Sequence, residues 1–148
     1  MTTYQLLDTI ADAYNPLLFL GYIVFSVLYW RRGDRLSALR GFAGIVVAYG
    51  LMFIDNASNL WPSVGLDYST HSAAALSLIA FHIHKRRWNS PAAMSFIASL
   101  VLYYALEVYQ QYHSVLDIVT TAMVVGPIVA LVYWMINKIS ASSSFKLA

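Results

Sequence analysis

Five long apolar stretches alternate with short polar breaks along the chain. The breaks begin at Arg31, Asp55, Lys85 and Glu107. Each stretch is close to the ~20 residues that a helix needs to cross the hydrocarbon core of a bilayer. The pattern predicts an all-α fold, a polytopic membrane bundle of about five transmembrane helices. The expected spans are residues 15–30, 36–54, 68–84, 90–106 and 113–137.

The spans divide the chain into one membrane domain, residues 15–137, with a short segment on either side. In residues 1–14, Asp8 and Asp12 are four positions apart and share one helical face. This segment is predicted to be an amphipathic helix at the outer interface; a solvated polar face without a further role is the alternative. Residues 138–148 are predicted to be a cytoplasmic tail.

The basic residues predict the orientation of the bundle. The chain has nine Lys and Arg residues, and all of them fall in the first loop, the third loop, the start of the second span or the tail. Short loops rich in Lys and Arg stay in the cytoplasm. The N-terminus is therefore expected outside and the C-terminus inside. We expect an integral protein of a bacterial or archaeal plasma (inner) membrane, with its active face outward.

Composition supports the membrane assignment and excludes several functions. Hydrophobic residues make up 59% of the chain and charged residues 11%, against roughly 25% charged in a soluble domain. A net charge of +2 is too small to favour nucleic acid as a partner. Because the chain has no cysteine, disulfides, thiolate metal sites and a cysteine nucleophile are excluded.

Ionisable residues gather at the outer ends of the predicted spans. Such groups are costly near the membrane, so each is a candidate for function. Since they come from different spans at similar depth, they predict one shared polar pocket. The residues are Asp55, Asp67, His71, Glu107, His113 and Asp117.

Two local patterns carry possible chemistry. His113 and Asp117 are four residues apart, so the carboxylate is expected to orient the imidazole, as nucleophilic catalysis by histidine requires; a polar pair that only joins helix ends is the alternative. At the start of the third span, Ser69 or Thr70 is expected to cap a helix whose free N–H groups favour an anion such as phosphate. His71 follows directly, and the alternative for it is a structural role.

These segments resemble the type-2 phosphatidic acid phosphatase family of integral membrane enzymes. The family's Pro-Ser-Gly-His motif is matched by Tyr68-Ser69-Thr70-His71, and its His-x-x-x-Asp motif by His113 and Asp117. The resemblance covers residues 55–127. Sphingolipid phosphotransferases use a similar set of two histidines and an aspartate.

The resemblance implies a lipid-phosphate phosphatase or phosphotransferase acting at the outer face on a membrane lipid or polyprenyl phosphate. His113 would form a phosphohistidine, Asp117 would orient it, and His71 would protonate the leaving group. The substrate would be bound at Ser69, Thr70 and Ser72.

The chain departs from the family where the phosphate is normally held. The family's Lys and Arg residues are missing, and its Ser-Arg pair falls on Leu106 and Glu107. Carboxylates in these places would repel a phosphate. A divalent metal, Mg²⁺, Mn²⁺ or Zn²⁺, would remedy this, although the resemblance itself requires no cofactor. The candidate ligands are Asp55, Glu107, His71, His113 and Asp117.

Other functions remain open at this point. The same residues would suit a non-enzymatic protein that binds a metal, or a haem held between His71 and His113. A purely structural membrane subunit is the third possibility. At the inner face, His82 and His84 lie beside Lys85-Arg86-Arg87, and this cluster is expected to contact anionic headgroups.

Overall fold

A computed structural model describes residues 2–145, with side chains described up to residue 139. Five helices make up most of this part of the chain, and a short 3₁₀ turn lies between the second and the third. The all-α fold is therefore confirmed. The helices are α1 (Thr3–Arg31), α2 (Arg35–Ser58), α3 (Thr70–Ile83), α4 (Pro91–Tyr109) and α5 (Val115–Phe145).

Four of the helices are long and apolar enough to cross a membrane, namely α1, α2, α4 and residues 115–139 of α5. Large apolar side chains such as Leu17, Phe53 and Leu102 are more than half exposed along them. Exposed apolar surface of this extent is unsuited to water and suits lipid. The protein is an integral membrane helical bundle.

The third helix, α3, lies at the centre and packs against the other four. It has 14 residues, about 21 Å at 1.5 Å per residue, and is shorter than a full span. Small buried residues, Ala73, Ala74 and Ala75, allow its neighbours to approach closely. The buried residues of α3 run from Ser72 to His82, so the other helices enclose it along most of its length.

The first helix shows no break where the sequence predicted the end of an outer segment. Thr2 and Gln5 form a capping box at its start, and the helix continues through Pro16 to Arg31. Ala11 and Leu18, seven residues apart, share one face and pack in the core with Tyr103. This apolar stripe makes the first three turns part of the bundle, which is why residues 3–14 extend α1.

The helix ends differ from the predicted bounds by a few residues, with two larger consequences. His113 lies in the loop between α4 and α5 rather than in the last span. Residues 138–145 of the predicted tail are helical, because α5 continues as far as Phe145; Lys146 lies outside the described residues. Because successive helices run in opposite directions, the basic loops lie at one end of the bundle and His71, Glu107 and His113 at the other.

Candidate functional site

A cavity of about 760 Å³ opens at the end of the bundle that is opposite the basic loops. We call it the acidic pocket. Its apolar walls include Phe19, Ile45 and Leu78, from α1, α2 and α3. Among the described residues, no Lys or Arg side chain lines it. The polar and aromatic lining comprises Asp12, Asn15, Tyr49, His71, Tyr103, Glu107, Tyr112 and His113.

His113 faces this pocket from the loop before α5. Its side chain is 12% exposed, and Nδ1 lies 3.5 Å from Oδ2 of Asp67, whose side chain is 69% exposed. That separation is too long for a normal hydrogen bond, and Nδ1 is buried with no hydrogen-bond partner among the described residues. The carboxylate beside His113 is thus Asp67, which reaches it from the segment before α3.

Asp117 has different partners from those that the His-x-x-x-Asp spacing predicts. Its Oδ2 accepts the backbone N–H of Ser114 at 2.8 Å, and Ser114 Oγ accepts the N–H of Asp117 at 3.2 Å. This reciprocal pair is a capping box at the start of α5. Its Oδ1 accepts the backbone N–H of Asp67 at 2.8 Å. Asp117 therefore ties together the two segments that carry His113 and Asp67, instead of contacting the imidazole by a hydrogen bond.

Glu107 is the most deeply placed ionisable group of the acidic pocket. It is 3% exposed, and its Oε2 is buried with no hydrogen-bond partner among the described residues. A buried carboxylate oxygen without a partner is costly. A ligand that offers a positive charge or a hydrogen-bond donor would therefore bind favourably at this oxygen.

His71 stands in the first turn of α3 and is exposed towards the same pocket. The amide nitrogen of Asn15 donates to the backbone carbonyl of His71 at 3.1 Å and to the Tyr103 hydroxyl at 3.2 Å. These contacts fix α1 against α3 and α4 at the pocket. The structure thus brings His71, Glu107 and His113 to one cavity.

The serines expected to bind substrate have structural contacts. Ser69 and Ser72 are both 0% exposed. Ser69 Oγ caps α3 by accepting the N–H of Ser72 at 3.3 Å, and its own N–H donates to Thr121 Oγ1 at 3.1 Å. Thr70, like the two serines, is absent from the lining of the acidic pocket. The α3 N-terminus is therefore closed by its own cap and by α5.

Of the five residues expected to hold a metal, His71, Glu107 and His113 line the acidic pocket, whereas Asp55 and Asp117 do not. Asp55 is 5% exposed and accepts the backbone N–H of Trp61 at 2.8 Å, so it holds the segment after α2. Asp117 is occupied by the two amides described above. Within residues 2–139, no three His, Asp or Glu side chains form a group that would hold a metal ion.

No protein-family model, curated protein or solved structure matches this chain.

The first turns of α1 form one side of the pocket mouth. Tyr112 donates its hydroxyl proton to the carboxylate of Asp8, and Gln110 Nε2 donates to the same carboxylate at 3.4 Å. The hydrogen bond to Asp8 raises the pKa of Tyr112 to about 12. The spacing of Asp8 and Asp12 is visible in the sequence, but it gives no sign that this face turns towards the α4–α5 loop.

Proposed function

We propose that the protein is a membrane lipid-phosphate phosphatase or phosphotransferase that acts in the acidic pocket through His113. The observation that carries the proposal is that two imidazoles, His71 and His113, line one cavity. A cavity of about 760 Å³ with apolar walls and a polar mouth suits a lipid headgroup and the first part of its chain.

The proposed reaction has two steps. Nε2 of His113 attacks phosphorus, the bond between phosphorus and the lipid oxygen breaks, and protonated His71 gives its proton to that leaving oxygen. Water or an acceptor hydroxyl then attacks the phosphohistidine, the P–N bond breaks, and His71 takes the proton of the attacking group. Asp67 would stabilise the positive charge that develops on the His113 ring.

The charge of the pocket restricts the substrate. Glu107 and Asp12 line the cavity, and Asp67 stands beside His113. Two like charges about 4 Å apart repel by roughly 4 kcal/mol at the effective dielectric of a protein surface. The substrate is therefore expected to bring a positive charge with it, as a Mg²⁺, Mn²⁺ or Zn²⁺ ion bound to the lipid phosphate or as an ammonium group on the headgroup.

Phosphate release by the purified protein tests this function. Lipid monophosphates, diphosphates and polyprenyl phosphates would be assayed with and without a chelator. His113→Ala is expected to lower turnover by about 10³-fold or more, whereas Tyr109→Phe, at an exposed position outside the pocket, should leave it unchanged. No release from any lipid, or release that persists in His113→Ala, would refute the proposal.

A second candidate is a binding protein for a cationic or zwitterionic amphiphile, without turnover. It is favoured by the unpartnered, buried Glu107 Oε2 and by the tyrosine rings of the pocket, which attract ammonium groups. Under this alternative, Glu107→Gln weakens binding of a long-chain quaternary ammonium by about tenfold or more. Phosphate release is then absent in the wild-type protein as well.

A further inference from the structure

A second cavity, of about 430 Å³, lies at the opposite end of the bundle between α2, α3 and α5. We call it the basic pocket. Arg40, His84 and Lys85 line its mouth, and apolar residues such as Leu76 and Val129 line its floor. The two cavities therefore have contrasting charge. Among the described residues, carboxylates but no Lys or Arg line the acidic pocket, whereas Arg40 and Lys85 line the basic pocket.

Arg40 is the residue of this pocket that most needs a partner. It stands about 8 Å along α2 from the helix start at Arg35, since each residue adds 1.5 Å. The ion pairs in the described part of the chain are Lys85 with Asp34 and His113 with Asp67, so Arg40 has no carboxylate partner. An unpaired charge at this depth is costly in a membrane protein, and such residues mark ligand sites.

Neutral neighbours hold Arg40 in place. Its guanidinium donates to the side-chain oxygen of Asn137 on α5 and to Ser37 Oγ at 3.2 Å. Ser37 is 0% exposed and also lies 3.1 Å from Nε2 of His84. The guanidinium is thus positioned by side chains of α2 and α5 without being neutralised, which is the arrangement that an anion-binding arginine requires.

The remainder of the cavity suits a hydrocarbon chain. Ala80 and Ala130, both small, line the crevice between α3 and α5 together with Gly126. Tyr133 lies on the same wall, and its hydroxyl is buried without a hydrogen-bond partner among the described residues. A free inorganic anion would leave the apolar floor unfilled, whereas a phospholipid would fill the floor and the mouth together.

We propose that the basic pocket binds one anionic phospholipid, with its phosphate on Arg40 and an acyl chain in the crevice between α3 and α5. This site is separate from the acidic pocket and does not depend on the proposed catalytic function. It gives the bundle a fixed lipid on the side where the chain carries its basic residues.

Native mass spectrometry of the full chain in detergent tests the proposal. Phosphatidylglycerol and phosphatidylcholine with identical acyl chains would be supplied in equal amounts. We expect the first bound phosphatidylglycerol to be favoured by about tenfold, and Arg40→Gln to remove that preference. Arg87→Gln changes an exposed arginine outside the pocket and should keep the preference.

A variant that keeps the charges of the pocket distinguishes binding of a lipid from binding of a free anion. Ala130→Phe fills the crevice from an exposed position of α5 and should lower phosphatidylglycerol binding even if Arg40→Gln does not fold. Millimolar inorganic phosphate should not displace the lipid. The proposal would be overturned if the wild type bound the two lipids equally, or if Arg40→Gln and Arg87→Gln showed the same lipid preference. It would also be overturned if phosphate displaced the lipid and Ala130→Phe bound phosphatidylglycerol as well as the wild type does.

Discussion

The two aspartates near His113 are expected to respond differently to the same change. Asp117→Asn keeps the shape of the side chain but leaves only one acceptor oxygen for two backbone N–H groups, those of Ser114 and Asp67, each at 2.8 Å. One hydrogen bond to a charged acceptor is lost, which costs about 2 kcal/mol. That loss corresponds to roughly a 30-fold change in the unfolding equilibrium.

Asp67→Asn should instead change catalysis and leave stability nearly unaffected. Its carboxylate is 69% exposed and 3.5 Å from His113 Nδ1, so water screens the interaction. Coulomb's law with the dielectric constant of water gives about 1 kcal/mol, or roughly a fivefold decrease in kcat. Because Asp67 acts on the imidazole and not on the substrate, KM should stay unchanged.

Both variants would be compared by titrating the reconstituted protein with denaturing detergent and by measuring kcat per folded molecule. Asp117→Asn should unfold earlier, and its kcat per folded molecule should fall less than that of Asp67→Asn. The reasoning would be refuted if Asp117→Asn unfolds like the wild type while losing as much activity as His113→Ala. That result would make Asp117 the orienting carboxylate, as the family resemblance implies.

Three further outcomes are expected. Gly41→Ala places a Cβ 2.3 Å from Cε2 of Tyr22 and 2.7 Å from Cδ2 of Phe81, so it should cost about 1–3 kcal/mol in detergent unfolding; Gly50→Ala, with nothing within 4 Å, is the matched control. Asp8→Asn should return the pKa of Tyr112 from about 12 towards 10.0, as read by ultraviolet difference titration against Tyr112→Phe. Reporter fusions near residue 59 should report the outer side and fusions after residue 85 the cytoplasm; a cytoplasmic report near residue 59 would contradict the orientation.

The number and order of the helices were predictable because each depends on the length of an apolar stretch. The residues at which the helices begin and end were less predictable, because local contacts determine them. The first helix begins at Thr3 because Thr2 and Gln5 cap it and because Ala11 packs in the core. Neither effect changes the average hydrophobicity on which the span prediction depends.

The position of the acidic pocket was partly predictable from the similar depth of the ionisable residues in the predicted spans. His71, Glu107 and His113 come from different helix ends at one end of the bundle, and they share a cavity. The role of the Asp117 carboxylate was not predictable from spacing alone. Asp117 satisfies both the His-x-x-x-Asp pattern and the capping-box pattern Ser114-Val115-Leu116-Asp117. The second pattern governs the structure, since an uncapped helix start leaves several N–H groups without partners.

The one-sided distribution of Lys and Arg, which sets the predicted orientation, also explains the contrast in charge between the two pockets. If the basic end faces the cytoplasm, the positive-inside rule keeps Lys and Arg away from the other end, and the acidic pocket has none among its described lining residues. Under the lipid proposal, Arg40 holds a phosphate at the inner end without an added cation. A phosphorylated ligand at the outer end must bring its own positive charge. Sensitivity of turnover to a chelator would identify that charge as a metal ion, whereas insensitivity together with a requirement for a headgroup amine would identify it as ammonium.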